Sequence, residues 1–174
     1  MLSAILSDTL AFRSPTCTPT DVAAGKALAE ICGEDIEKYS EQMFDAGADL
    51  TGRTAEEVFH GDYKIFSRGN AKFGVGQGSF MTENSRKAAE ALVGPFLKTA
   101  AESEELPMVF YMFTDVKSQV TEMLYYGAGA QEVLERAFNV TPDNGIAVLP
   151  GIVSRKKQVV PSLMSALQFT DDED

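Results

Sequence analysis

Histidine, cysteine and tryptophan are scarce or absent in this sequence. Among 174 residues there are one histidine, His60, two cysteines, Cys17 and Cys32, and no tryptophan. Two cysteines cannot form a disulfide framework, so we expect reduced thiols and a cytoplasmic protein. A single histidine without clustered cysteines cannot form a zinc site of its own. We therefore expect His60 to be structural or exposed.

Long apolar stretches and an excess of positive charge are also missing. No apolar run reaches the about 18 residues that a membrane-spanning helix requires. The formal net charge is −11, from 15 Lys and Arg against 26 Asp and Glu. Nucleic acids and anionic membranes both favour a basic surface, so we expect neither as a main partner. A local basic cavity for a small anion is compatible with this charge.

The sequence has no glycine-rich nucleotide-binding loop of the usual kind. Gly74, Gly76 and Gly78 alternate with larger residues, and no Gly-Lys-Ser or Gly-Lys-Thr ending follows them. The alternation instead predicts a strand with one nearly bare face. Such a face favours close packing of another backbone on it.

The remaining composition is that of a globular domain, with 44% apolar and 24% charged residues. Capping boxes at Thr18 with Asp21 and at Thr54 with Glu57 predict two helix starts. Strands alternate with helices from about residue 54 onward, which predicts an α/β domain with a mixed sheet. The predicted strands are Tyr63–Ser67, Lys72–Phe80, Val109–Phe113, Val120–Tyr126 and Ile146–Leu149. The predicted helices include Glu83–Glu102, Gln131–Phe138 and Val160–Phe169, before a solvated acidic tail at residues 171–174.

Residues 154–158, Ser-Arg-Lys-Lys-Gln, form a cluster of three consecutive basic residues. The cluster follows a predicted strand and a Pro-Gly turn, and it leads into a predicted helix. Ligands of open α/β sheets bind beyond the carboxyl ends of strands, and a helix start adds N–H donors that suit phosphate. Pro161 leaves the helix start open, either at Ser154 or only near Pro161. The segment predicts either an anion site or a solvated basic turn.

Two further charged residues lie among apolar neighbours. Asp8 lies within residues 6–10, where its carboxylate needs a hydrogen bond, an ion pair or a metal unless it faces solvent on a helix surface. Lys64 lies in the first predicted hairpin strand, where an ordinary edge-strand lysine is the alternative to a functional role. Both are candidates for a site, and neither identifies one alone.

Three segments, in order along the chain, resemble parts of the family II inorganic pyrophosphatases. Residues 2–18 resemble the last block of their N-terminal DHH domain. Residues 62–66, Asp-Tyr-Lys-Ile-Phe, resemble the early Asp-x-Lys-x-Phe motif of their C-terminal DHHA2 domain, and residues 154–161, SRKKQVVP, resemble its signature. The resemblance implies a helical remnant of the DHH domain over residues 1–48. It implies a DHHA2-like α/β domain, with a mixed β-sheet flanked by helices, over residues 49–174.

The resemblance also implies a reaction, the hydrolysis of pyrophosphate to two phosphates by metal-activated water. The implied metals are Mn²⁺, with Mg²⁺ or Co²⁺ as alternatives. Asp8 matches the family's last metal ligand, while Lys64, Arg155 and Lys156 match its contacts to substrate phosphate. Lys157 has no matching substrate contact. The implied partners are pyrophosphate or phosphate and an upstream DHH domain, and the implied assembly is a homodimer.

The family's other metal ligands, which precede the position of Asp8, have no counterpart in this sequence, and His60 matches none of them. The resemblance implies a complete enzyme of roughly double this length, so we expect the chain alone to be inactive. We also expect Met1–Phe12 to pack its apolar face against a domain outside the sequence. Two alternatives remain open: an exopolyphosphatase-like DHH/DHHA2 phosphoesterase, and a non-catalytic phosphate-binding module.

Overall fold

The structure is a computed structural model that describes residues 1–69 and 71–171. Asn70, the last residue of the hairpin turn that the sequence predicts at Arg68-Gly69-Asn70, lies outside this description, as do residues 172–174 of the acidic tail. The described residues form eight α-helices and five β-strands. They are α1 Leu2–Asp8, α2 Pro19–Cys32, α3 Ile36–Gly47, α4 Ala55–Phe59, β1 Tyr63–Arg68, β2 Ala71–Phe80, α5 Glu83–Val93, α6 Phe96–Ser103, β3 Met108–Asp115, β4 Val120–Tyr126, α7 Ala130–Phe138, β5 Ile146–Pro150 and α8 Val160–Asp171.

The five strands form one sheet in the order β1-β2-β3-β4-β5. β2 and β3 are parallel, and the other three pairs are antiparallel, so the predicted mixed sheet and α/β class are confirmed. This register brings the carboxyl ends of β2, β3 and β5 to one edge of the sheet. The first residue of β1 lies at the same edge, because Tyr63 pairs with Gly76. Ligand sites of α/β proteins concentrate at such an edge.

Each face of the sheet is covered by helices and has its own core. On one face, α7 and α8 cover β-strand residues such as Phe73, Val75 and Met112. On the other, α4, α5 and α6 cover Tyr111 and Phe113 among others. Burying each large apolar side chain contributes about 1.5–3 kcal/mol, so both layers hold the sheet. No helix in residues 1–69 and 71–171 is long and apolar enough to cross a membrane.

The bare face of β2 accommodates aromatic rings. A Cβ atom on Gly74 would lie 1.9 Å from the Tyr63 hydroxyl oxygen, and one on Gly76 would lie 2.3 Å from the ring of Tyr111. The expectation that another backbone packs on this face is therefore wrong. Glycine is required here because neighbouring strands place large rings over β2.

The single helix predicted over Glu83–Glu102 is wrong, since the chain forms two helices there. α5 ends at Val93 and α6 begins at Phe96. Pro95 lies between them, and proline lacks the N–H group that a continuous helix requires. The break lets α5 and α6 pack separately on the sheet.

Both predicted capping boxes are confirmed. The Thr18 hydroxyl accepts a hydrogen bond from the Asp21 N–H, and the Asp21 carboxylate accepts one of 2.8 Å from the Thr18 N–H. Thr54 and Glu57 make the same exchange at the start of α4, again with a 2.8 Å bond to the carboxylate. Each box pairs two N–H groups that a helix start otherwise leaves free.

The first three helices form a small layer with its own apolar contacts. Leu6 of α1 is fully buried and Leu2 is 6% exposed, packed with Ala29 of α2 and with Tyr39 and Met43 of α3. The expectation that Met1–Phe12 leaves its apolar face for a missing domain is wrong for these leucines. α2 and α3 supply the apolar surface that they need.

The helical layer also contacts the edge of the sheet where the strand ends meet. Leu10 and Phe44 pack with Met81, Val116 and Val153, each of which follows a strand. A charged contact joins the same parts, because Lys117 lies 3.2 Å from Glu41. The helical layer therefore lies over one side of the sheet edge and helps to enclose it.

Candidate functional site

A cavity of about 400 Å³ opens at this sheet edge, between the helical layer and the strand ends. Three of the four predicted site residues, Asp8, Arg155 and Lys156, line it together. The fourth, Lys64, is not among its lining residues. Further polar lining comes from Asp62, Gln77 and Ser79.

The basic segment begins with a wide helical turn, the π turn Arg155–Val159, which runs directly into α8. The Ser154 side chain caps this turn by accepting from the Lys157 N–H. The Gln158 side chain accepts 3.0 Å hydrogen bonds from the N–H groups of Val153 and Ser154. The helical path therefore starts at Ser154 and not near Pro161, and Gln158 fixes the loop that presents Arg155. π turns are rare and often occur at functional sites.

Arg155 is buried, with a side chain only 9% exposed, and three hydrogen bonds fix its guanidinium. Nη1 donates to the carbonyl oxygens of Asp62, at 2.7 Å, and Val75, at 3.1 Å. Nη2 donates to the Asp62 carboxylate at 2.5 Å. These contacts satisfy a charge that would be costly to bury unpaired.

The guanidinium keeps two donors for a ligand. It has five N–H groups, and the three bonds to Asp62 and Val75 use both on Nη1 and one on Nη2. Nε–H and the second Nη2–H remain, and they lie on one edge of the planar group. Such an edge can bind two oxygens of a phosphate at once.

The two lysines of the segment differ in their surroundings. Lys156 is exposed and lines the cavity, and its ammonium makes no hydrogen bond or ion pair with residues 1–69 or 71–171. Lys157 donates a 2.9 Å hydrogen bond to the Pro15 carbonyl oxygen, between α1 and α2. Lys156 is thus available to an anion, while Lys157 ties the π turn to the helical layer.

Lys64 lies on β1 opposite Val75, with its side chain exposed. Directly paired residues of antiparallel strands project to the same face, so Lys64 and Val75 share the face that α8 covers. The Val75 carbonyl in turn accepts from Arg155. Lys64 therefore pairs directly with a residue that contacts the guanidinium, but it lies outside the cavity lining. Its predicted phosphate contact stays a prediction.

Asp8 ends α1 with an exposed side chain at the cavity wall, so it does not need a buried partner. Its backbone carbonyl accepts a 3.2 Å hydrogen bond from the Thr16 hydroxyl. Its carboxylate is a suitable oxygen ligand for Mn²⁺. Within residues 1–69 and 71–171, however, no group of three His, Cys, Asp or Glu side chains could hold a metal ion. Asp8 fits as one ligand, and a metal here needs the others from outside these ranges.

His60 lies apart from the cavity in a polar cluster. Its Nε2 lies 2.9 Å from Glu104 Oε1, and the Tyr63 hydroxyl donates a 2.6 Å hydrogen bond to Glu104 Oε2. Burial first, and then this hydrogen bond, raise the pKa of Tyr63 far above its usual range. The structural role expected for His60 agrees with these contacts.

The charge of Asp62 also affects the pKa of Tyr111, a buried residue of β3. Burial, and secondarily the negative charge of Asp62, raise the pKa of Tyr111 to about 12. Sequence reasoning assigned no role to Asp62, although it begins the Asp-x-Lys-x-Phe segment. The available signal was this motif, because an acidic residue immediately before a strand at the sheet edge can face a basic ligand site.

The sequence and fold match known proteins over most of the chain. The family model that matches is the DHHA2 domain, over residues 41–166. A "Probable manganese-dependent inorganic pyrophosphatase" of Bacillus cereus (strain AH187) is 42% identical over 168 residues, covering 97% of this chain and 54% of the relative. A relative of the same name in Bacillus mycoides (strain KBAB4) is 43% identical with the same coverage.

The structural comparison leads to the same group of proteins. A Methanococcus jannaschii protein assigned to the family II inorganic pyrophosphatases superposes with a TM-score of 0.80 at 34% identity. The match covers 96% of this chain and 54% of that one. The chain thus spans about half the length of the curated relatives it matches. With 126 of its residues, 41–166, matched by one family model, the chain belongs to the DHHA2 domain family.

Proposed function

We propose that this chain is the C-terminal, substrate-binding part of a manganese-dependent inorganic pyrophosphatase, which hydrolyses pyrophosphate to two phosphates. The observation that carries the proposal is the cavity that Arg155, Lys156 and Asp8 line together. Its wall combines a fixed guanidinium and an exposed ammonium, which suit a phosphate anion, with a carboxylate that suits a metal ion. The names of the relatives in Bacillus support the choice of pyrophosphate and manganese.

In this proposal the basic residues bind and orient the substrate. Arg155 binds two phosphate oxygens through its Nε–Nη2 edge without breaking its bonds to Asp62 and Val75. Lys156 adds a mobile point charge, and Lys64 approaches from β1 as a second one. A cleft partly shielded from water strengthens each of these attractions. The phosphoryl group is therefore held, and the charge that develops on it is stabilised.

Asp8 would supply one oxygen ligand to a divalent metal at the mouth of the cavity. Manganese, when bound, polarises phosphoryl oxygens and lowers the pKa of the attacking water. The remaining ligands come, in this proposal, from an upstream DHH domain. We propose Mn²⁺ as the resident ion, with Mg²⁺ or Co²⁺ as substitutes.

The test joins residues 1–174 to the part of the Bacillus cereus relative that precedes the matching segment. We expect this hybrid to release phosphate from pyrophosphate with Mn²⁺, and we expect the unjoined chain to be inactive. The Arg155→Ala variant of the hybrid serves as its matched control. Activity that survives this substitution, or a hybrid that folds without any activity, would contradict the proposal.

The same assay separates the proposed activity from its alternatives. Faster phosphate release from polyphosphate than from pyrophosphate would identify an exopolyphosphatase-like enzyme. Tight phosphate binding by the unjoined chain, with no hydrolysis by the hybrid, would identify a binding module.

A homodimeric assembly and a cytoplasmic location belong to the same proposal. The homodimer rests on the family resemblance, and the location is supported by free thiols at Cys17 and Cys32. Light scattering of the hybrid after gel filtration tests the dimer. A monomeric mass at micromolar concentration would contradict it.

A further inference from the structure

Asp62 and Arg155 form a pair across the sheet edge, although 93 residues separate them. Asp62 accepts from Arg155 twice, through its carboxylate and through its backbone carbonyl. We infer that Asp62 is a positioning residue, which holds the Arg155 guanidinium so that its Nε–Nη2 edge is presented to a phosphate group. This inference rests on the proposed function. It adds a residue that acts on the phosphate through Arg155.

The first support is the division of donors on the guanidinium. The two contacts to Asp62 and the one to Val75 all use Nη1 and Nη2, and none of them uses Nε. The edge that includes Nε stays free. A phosphate can therefore bind without displacing the Asp62 carboxylate. An arginine held in this way loses little conformational freedom on binding, so more of the contact appears as affinity.

The second support is the rigid base under Asp62. Asp62 ends a 3₁₀ turn, His60–Asp62, immediately before β1. Residues on both sides of it contact Glu104: His60, two positions earlier, lies 2.9 Å from the carboxylate, and Tyr63, the next residue, donates a 2.6 Å hydrogen bond to it. Glu104 follows α6, so the turn is fixed to a helix that packs on the sheet. A positioning residue needs such support from its surroundings.

The third support comes from comparing two carboxylates of the cavity, Asp8 and Asp62, which have the same charge but different contacts. A carboxylate that lines an anion cavity repels the anion, so its negative charge alone weakens binding. Asp8 and Asp62 line the same cavity, but only Asp62 contacts Arg155. Neutralising either residue removes one negative charge from the cavity. Neutralising Asp62 also releases the guanidinium, so the two substitutions have opposite expected effects.

The experiment measures pyrophosphate binding by calorimetry to the 174-residue chain, without metal and at low ionic strength. We expect Asp62→Asn to weaken binding about tenfold, the scale of one charge-assisted hydrogen bond. Asp8→Asn, the matched control, removes the same charge and should tighten binding. Asp62→Glu keeps the carboxylate on a longer stem and should recover part of the loss.

A second measurement reports the guanidinium directly. Nitrogen-15 NMR should show a sharp Nε–H signal for Arg155 in the unmodified chain, because its three hydrogen bonds restrict rotation. The signal should broaden or shift towards that of a free arginine in Asp62→Asn. A sharp, unshifted signal in that variant would overturn the positioning role even if the variant loses stability.

The outcomes distinguish this inference from the proposed function. If Arg155→Ala abolishes binding while Asp62→Asn binds as well as the unmodified chain or more tightly, Asp62 does not position Arg155. If Arg155→Ala binds normally, or the unmodified chain binds no pyrophosphate, the proposed phosphate contact fails and the positioning role fails with it.

Discussion

A 3.1 Å hydrogen bond joins Arg155 Nη1 to the carbonyl oxygen of Val75, a residue 80 positions earlier in the chain. The bond connects the basic segment to the backbone of β2, at the residue that pairs with Lys64 of β1. Arg155 is therefore part of the fold as well as a candidate ligand-binding residue.

This double role predicts a stability cost for Arg155→Lys. A lysine keeps the charge but cannot make three hydrogen bonds in a fixed plane, so partners at Asp62 and Val75 stay unpaired. We expect the free energy of unfolding to fall by about 1–3 kcal/mol in urea denaturation. Lys156→Arg, at an exposed neighbouring position, should change it by less than about 0.5 kcal/mol. Equal stability of both variants would contradict the structural role.

The aromatic packing on β2 predicts that Gly76→Ala destabilises the sheet. Its new methyl group would lie 2.3 Å from the buried Tyr111 ring, which must move. Overpacking of this kind typically costs about 1–3 kcal/mol. Gly47→Ala is the control, since nothing lies within 4 Å of its added carbon. A neutral Gly76→Ala variant in thermal unfolding would show that the rings adapt freely.

The contacts of α1 predict that Leu6→Ala destabilises the helical layer. Leu6 is fully buried, and removing such a side chain typically costs about 2–5 kcal/mol. Ile31→Ala, where the side chain is 80% exposed, should have little effect. The measurement is hydrogen exchange of α1 to α3 in each variant. Unchanged protection in Leu6→Ala would mean that α1 is only loosely packed.

The raised pKa values of two tyrosines predict a loss of stability at alkaline pH. Folding raises the pKa of Tyr111 to about 12 and that of Tyr63 in the same direction. Both groups stabilise the fold fully below their unfolded pKa of about 10, and this stabilisation is lost as the pH rises through the folded values. The unfolding free energy should therefore fall above pH ~10, by at most about 1.4 kcal/mol per pH unit for each tyrosine.

The controls for this pH dependence are Tyr111→Phe and Tyr63→Phe. Each removes one titrating group, so each should flatten the alkaline decline measured by urea denaturation at a series of pH values. A decline as steep in both variants as in the unmodified chain would show that other groups cause it.

Local features of the fold could be predicted from sequence, and contacts distant in sequence could not. The capping boxes at Thr18 and Thr54 involve residues three positions apart, and both are as predicted. The break at Pro95 was visible in the sequence, yet helical spacing of apolar residues on both sides suggested one helix. Gly76 was recognised as bare, but the ring that requires it, Tyr111, lies on another strand.

The candidate site likewise has features that the sequence predicts and contacts that it does not. Arg155 and Lys156 stand out as a basic cluster after a strand, so their placement at a sheet edge could be expected. The motif made Asp62 a possible candidate, but its contact with Arg155 could not be predicted, since that contact depends on the strand order. The hydrogen bond from Lys157 to the Pro15 carbonyl oxygen could not be predicted from the sequence either.

The central claim is that pyrophosphate binds at the cavity lined by Arg155 and Lys156. The most direct test is a titration of the 174-residue chain with pyrophosphate, followed by nitrogen-15 NMR at low ionic strength. We predict saturable shifts at residues 153–156 and at Asp62, Gln77 and Ser79, all of which vanish in Arg155→Ala. Saturable shifts confined to another surface, or no shifts at millimolar pyrophosphate, would contradict the account.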